Sequence, residues 1–150
     1  MAPMFAAIDT NVLAYAEGAG DERRKRLARE LLVRLADERT ILPVQVLGEL
    51  YRVLVGKCRF SAELAKESLL RWSDTFQVRD SSWAAMRSAL DLAQDHQLAI
   101  WDSLILSVAA ENRCRVLLSE DMQEGFVWSG VTVVNPFAPR PHVLLEKLFA

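Results

Sequence analysis

The sequence predicts an α/β fold of three layers, with a central parallel sheet of about five strands and helices on both faces. Three observations carry that reading. Short apolar runs recur at residues 5–8, 40–42, 76–79, 116–118 and 131–134, and helix-period segments separate them. The runs are apolar rather than alternating, which suits strands buried on both faces of a parallel sheet. No repeat, low-complexity tract or Pro/Gly/Ser linker divides the 150 residues, a length that suggests one domain.

Taken in order, residues 5–8 form a buried strand that Asp9 ends. Thr10-Asn11 supplies turn and cap chemistry for a short helix over 12–16, and Gly18 and Gly20 break it. Asp21 opens an amphipathic helix to about Arg39, with Leu27, Leu31, Leu32 and Leu35 on one side. Residues 40–42 are a brief strand stopped by Pro43. Residues 44–56 are helical, with Val46, Leu47, Leu50, Val53 and Leu54 at helix spacing. Ser61 caps a helix to about Thr75, and a third strand follows at 76–79. Asp80-Ser81-Ser82 caps a helix through about His96. A very apolar helix runs from Trp101 to about Asn112. Strands at 116–118 and 131–134 follow, the last closed by Asn135-Pro136.

Composition removes several classes of function. Apolar residues make up 51% and charged residues 25%, which excludes a disordered or collagen-like chain. The formal charge of −2 excludes a strongly basic nucleic-acid coat, although not a local basic patch. Cys58 and Cys114 form no CxxC and read as reduced thiols of a cytoplasmic protein. Only His96 and His142 supply imidazoles, too few for histidine metal sites or a Ser-His-Asp design. Residues 1–8 are apolar but lack a basic start and are too short for a signal peptide, and no apolar run is long enough to span a bilayer.

Four acids stand out by their surroundings. Asp9 and Asp121 fall just past the first and fourth strands, at the carboxyl ends where ligands gather in open parallel sheets. Glu49 shares a helical stripe with Val46 and Val53. Asp102 shares one with Ile105 and Leu106, with no Lys or Arg one turn away. An ionised carboxylate placed there without a partner costs on the order of several kcal/mol, and a helix N-terminus returns only about 0.3–1 kcal/mol. A divalent cation would offset the rest. Each acid also has an ordinary reading. Asp9 would be an N-cap, Glu49 a rim residue paired with Arg52, Asp102 a first-turn acid and Asp121 a turn residue beside Gly125. Asp91 and Asp95, on a polar helix face, carry no role.

The segments Ile8-Asp9-Thr10-Asn11-Val12-Leu13, Val46-Leu47-Gly48-Glu49-Leu50, Trp101-Asp102-Ser103-Leu104-Ile105, Leu118-Ser119-Glu120-Asp121-Met122 and Val133-Val134-Asn135-Pro136-Phe137 follow one another at familiar spacings. In them the chain resembles the PIN-domain ribonucleases and, among these, the VapC-like toxins of type II toxin–antitoxin pairs. The resemblance spans essentially the whole chain as one PIN-like nuclease domain, residues 1–150. It implies a sheet ordered 3-2-1-4-5, so that Asp9 and Asp121 meet at the switch point and Glu49 and Asp102 close the cluster from helices. Asp9, Glu49, Asp102 and Asp121 match the family's acidic quartet, catalytic and metal-ligating, and Asn11 and Ser119 match its supporting polar residues. Ser103 is a departure, standing where the family often has Ala.

Oxygen ligands without Cys or His favour Mg2+ or Mn2+ over zinc, one or two ions per site. The expected activity is a metal-dependent endoribonuclease that hydrolyses RNA phosphodiester bonds, leaving 5′-phosphate and 3′-hydroxyl ends. RNA then needs basic surface near the acids, and Arg52, Lys57 and Arg59 are candidates beside the Arg23–Arg26 run, which also reads as a wet helix face. Trp72, Trp83, Trp101 and Trp128 read mainly as core, with base stacking the other use. The resemblance further implies an antitoxin protein partner and a homodimer, with no membrane association. Leu13, Tyr15, Leu47, Leu50 and Leu54 would be either the partner's groove or plain core. Two rivals remain. A dehalogenase-type phosphatase lacks its second acid because Asn11 stands there, and a non-catalytic RNA- or protein-binding module on the same fold has no evident use for the acids.

Overall fold

The structure, a computed structural model, describes residues 3–150, so Met1 and Ala2 of the apolar lead-in lie outside the described residues. Its elements in chain order are β1 (Ala6–Ile8), α1 (Thr10–Glu17), α2 (Glu22–Arg34), a single 3₁₀ turn (Asp37–Arg39), β2 (Thr40–Pro43), α3 (Val44–Gly56) and α4 (Ala62–Thr75). They continue with β3 (Gln77–Arg79), α5 (Trp83–His96), α6 (Ile100–Glu111), β4 (Val116–Leu118), β5 (Val127–Trp128), β6 (Val131–Val134) and α7 (Val143–Leu148).

The sheet runs β3-β2-β1-β4-β6-β5. All neighbours are parallel except the edge pair β5–β6. Over the five strands read from sequence, the order 3-2-1-4-5 is therefore observed, with the last of them appearing as β6. The addition is β5, a two-residue strand folded back by Ser129 and Gly130, which have φ of 48° and 83°. Two consecutive positive φ values make the tight hairpin whose twist matches that of paired strands. The dipeptide Ser-Gly signals that turn, but two residues are too few to show a strand period.

Helix ends follow local chemistry. Asp9, Asp21, Ser61 and Ser82 each accept a backbone N–H at the start of α1, α2, α4 and α5. Gly18, with φ of 122°, ends α1. Helix α2 stops at Arg34, short of the expected Arg39. Buried Leu35 is extended there, and Thr40 Oγ1 donates to Ala36 O at 2.8 Å as the chain turns into β2. Helix α7, absent from the sequence reading, docks where the Arg34 guanidinium stands 3.9 Å from the Phe149 ring centroid.

The core lies between the sheet and its helices, around Ile8, Leu42, Ile105, Leu106, Leu117 and Leu118. Leu13, Leu50 and Leu54 are fully buried in it, and Tyr15 and Leu47 pack partly against it. For Leu13, Leu50 and Leu54 the core reading is the one observed, and the partner-groove reading is corrected for those three. Ala85 and Ala89 of α5 meet Leu104 and Val108 of α6 in a second cluster. That contact pins α6, the helix carrying Asp102, against α5. The chain runs outward from β1 through β2 to β3, then returns to place β4 on the other side of β1. Connections leave this point in opposite directions and open a crevice beyond the strand ends. No helix among the described residues is long and apolar enough to cross a membrane.

Candidate acidic metal centre

Asp9 and Ser119 are the first residues past β1 and β4, and they are held in step. Asp9 N–H donates to Leu118 O at 2.9 Å, and Ser119 N–H donates to Val134 O at 3.0 Å. Asp9 is only 3% exposed. Its Oδ1 accepts Thr10 N–H at 2.7 Å, so the N-cap reading holds. Its Oδ2 accepts Ser119 Oγ at 2.7 Å and Asn11 Nδ2 at 3.4 Å. The same Asn11 amide donates to Asp121 Oδ2 at 3.2 Å, and Asn11 Oδ1 accepts Glu120 N–H at 3.2 Å. Asn11 thus ties the two strand-end loops together and holds Asp9 and Asp121 on one amide.

Glu49 reaches the site from α3. Its Oε2 accepts Thr10 Oγ1 at 3.3 Å, and its Oε1 accepts Gln45 Nε2 at 3.1 Å. The ion pair with Arg52 that helix spacing allows is not formed. Asp102 enters from the first turn of α6, half-buried. No acid of the quartet has a Lys or Arg partner among the described residues, whose ion pairs lie elsewhere.

The electrostatics match that arrangement. Burial is the main cause that pushes the Asp9 carboxyl up to about 6. Hydrogen bonds from Ser119 and Thr10 act against the shift, while the charges of Asp102 and Glu49 add to it. Asp102 is raised by burial first, then by the charges of Glu49 and Asp121. The structure therefore brings all four predicted acids into one electrostatic neighbourhood.

The donor chemistry suits a hard divalent cation, because every candidate ligand is an oxygen and the carboxylates lack other counter-charges. Among the described residues, however, no group of three His, Cys, Asp or Glu side chains is arranged to hold a metal ion as it stands. Like charges repel, and Asn11 and Thr10 each hydrogen-bond two of the acids and so stand between them. Drawing the set together requires side-chain movement, for which exposed Asp121 has the most freedom.

Other sequence candidates separate clearly. Arg24 grips Glu120 and also pairs with Asp21, Lys25 pairs with Glu22, Arg26 lies 3.9 Å from Glu30, and Arg23 donates to Phe137 O. The Arg23–Arg26 run is thus largely committed to its own helix and its neighbours. Trp72 stacks on Phe76 and donates to Glu17 Oε1, and Trp128 packs on the core. Trp83 and Trp101 are instead 69% and 52% exposed, which corrects the core reading for that pair. Ser103 Oγ donates to Ala99 O at 2.9 Å, a bond within its own helix. The sequence did not show the parts that Thr10, Gln45, Tyr15, Arg24 and Glu120 play around the acids. Thr10 and Gln45 carried a weak signal, as a neighbour of Asp9 and as the residue four before Glu49. The Tyr15–Glu120 and Arg24–Glu120 contacts carried none.

A parallel α/β domain with carboxylates converging at its switch point defines the class. The chain belongs to the PIN domain family, whose family profile matches residues 6–123. Solved structures with this fold include VapC20 of Mycobacterium tuberculosis, described as a sarcin–ricin-loop-cleaving toxin. It superposes with a TM-score of 0.66 at 21% identity, covering 77% of this chain and 89% of its own. A toxin–antitoxin complex from Klebsiella pneumoniae gives 0.65 at 24% identity, covering 87% and 97% of the two chains. DNA-bound VapBC from Salmonella typhimurium gives 0.61 at 15% identity, covering 87% and 96%. No curated protein sequence matches the chain.

Proposed function

We propose that the protein is a Mg2+- or Mn2+-dependent endoribonuclease and the toxin of a toxin–antitoxin pair. The observation that carries this reading is Asp9, a buried carboxylate without a cationic partner, set beside three further acids at the switch point. PIN family membership and the likeness to VapC toxins support it.

In this reading Asp9, Glu49, Asp102 and Asp121 hold one or two divalent ions, which when bound supply a lowered pKa for water and charge neutralisation at the phosphate. Ser119 and Thr10 fix the Asp9 carboxylate. Asn11 holds Asp121 near it. Glu49, tied to Thr10 and Gln45, orients the attacking water or completes the ligand set. An antitoxin partner is carried over from the toxin–antitoxin neighbours, and homodimerisation remains part of the proposal. Exposed Val44, Tyr51 and Val55 of α3 offer apolar surface for such contacts.

The test is cleavage of single-stranded RNA with Mg2+ or Mn2+, with chelator, and with Asp9→Asn and Asp102→Asn. Activity should vanish on chelation and in both variants. Cleavage that survives chelator or either substitution would refute the mechanism, and a wild-type protein that binds RNA without cutting it would leave a binding module.

A further inference from the structure

We infer that a cavity beside the acids, walled by Arg52 and Lys57, is a subsite for one phosphate of a polynucleotide backbone. The identity of the polymer rests on the ribonuclease reading; the anion-binding chemistry does not. Glu49, Arg52, Val53, Gly56 and Lys57, all from α3 and its C-cap, line a cavity of about 400 Å³. Glu49 is among the lining residues, so the cavity adjoins the acid cluster.

Arg52 lies three residues past Glu49, a spacing that favours an i,i+3 ion pair. That pair is not formed; both Glu49 carboxylate oxygens are engaged by Thr10 and Gln45. Neither Arg52 nor Lys57 forms an ion pair among the described residues, so both charges are free for a ligand. Lys57 has a local reason for its place, because it caps α3 where helix carbonyls favour a cation. Arg52, in mid-helix, has none. Between them Gly56 leaves space: nothing lies within 4 Å of where a Cβ would stand. Arg59, the third basic candidate of the sequence, does not line this cavity.

The charge pattern is what a polyanion requires. Four carboxylates repel incoming RNA, and two uncommitted cations one to two helical turns from Glu49 give a neighbouring phosphate a favourable seat. An arginine fork adds paired donors for phosphate oxygens.

The test is fluorescence-anisotropy titration of a labelled single-stranded RNA in chelator, where binding is read without cleavage. Arg52→Ala, Lys57→Ala and, as a charge control on α5, Arg87→Ala are compared over a salt series. Arg52→Ala and Lys57→Ala should each weaken binding roughly three- to tenfold and lower the salt slope by about 0.7. Arg87→Ala should do neither. Inorganic phosphate at millimolar concentration should compete only weakly, since a single phosphate lacks the neighbouring contacts. Equal affinity and slope across wild type and both α3 variants would overturn the subsite, as would an equal loss in Arg87→Ala. Strong competition by phosphate would make it a site for the free anion instead. Failure of the nuclease reading is separate: wild-type protein would then not cleave RNA in Mg2+ or Mn2+, whatever the binding data.

Discussion

Arg24 Nε stands 3.0 and 2.9 Å from the two carboxylate oxygens of Glu120, joining α2 to the loop after β4 across 96 residues of sequence. Tyr15 OH donates to the same carboxylate, which drives the phenol up to about 12, burial being the larger cause. Glu120 is thereby turned away from the acids while its backbone N–H binds Asn11. Of the consecutive acids Glu120 and Asp121, one is neutralised so that the other is presented. Glu120→Gln or Arg24→Met should weaken Mn2+ binding, read by electron paramagnetic resonance, by roughly tenfold, the low end for residues that orient metal ligands. Manganese affinity equal to wild type in both variants would show that the clamp does not position Asp121.

Asp9 should make the metal-free protein less stable as pH rises. Its folded pKa of about 6 lies above the ordinary aspartate value of 3.8, so the folded state holds the proton more tightly. The stabilisation is complete below about pH 4 and is lost as pH climbs through about 6. Asp9→Asn, whose amide keeps an acceptor for Thr10, avoids that loss. In chelator, its stability relative to wild type should improve by up to on the order of 3 kcal/mol between pH 4 and pH 8. Urea denaturation across that range measures it; a wild-type–variant difference that stays flat with pH contradicts the assigned burial cost.

Divalent ions should reverse the penalty. At about a hundred times the dissociation constant, a bound ion adds about 2.7 kcal/mol to stability. For a domain of this size that is a rise in Tm of roughly 5–10 °C. Asp102→Asn and Glu49→Gln should shrink the shift, while Asp91→Asn, on the polar face of α5, should keep it. A differential-scanning experiment that finds equal shifts in all of them places the ion elsewhere.

Leu54 separates core from partner surface. It is 0% exposed, on the α3 face that packs into the core. Leu54→Ala should cost about 2–5 kcal/mol by denaturant melting of the protein alone. Val33, at 86% exposed, should tolerate Ala with a change within about 0.5 kcal/mol. A Leu54→Ala protein of wild-type stability would mean that the residue does not belong to the core.

Much of the fold was legible in the sequence because strand and helix signals are local. Each of the five short, mainly apolar runs became a strand, and Ser61 and Ser82 capped the helices they preceded. The end of α2 was misplaced because helical periodicity continues past Leu35, where burial beneath the chain's turn into β2 overrides it. Strand β5 was hidden by its length.

What the sequence alone determined is that Asp102, on an apolar stripe whose period any reader can count, lacks a local counter-charge, and that Glu49 shares such a stripe. Tertiary structure alone decided how the distant charges are matched: Arg24 goes to Glu120, Glu49 to Thr10 rather than Arg52, and Asn11 to Asp121. The physical reason is range. Helix and strand periods are written within a few residues, whereas the choice of a hydrogen-bond partner 110 residues away depends on sheet order, and sheet order exists only once the chain has folded.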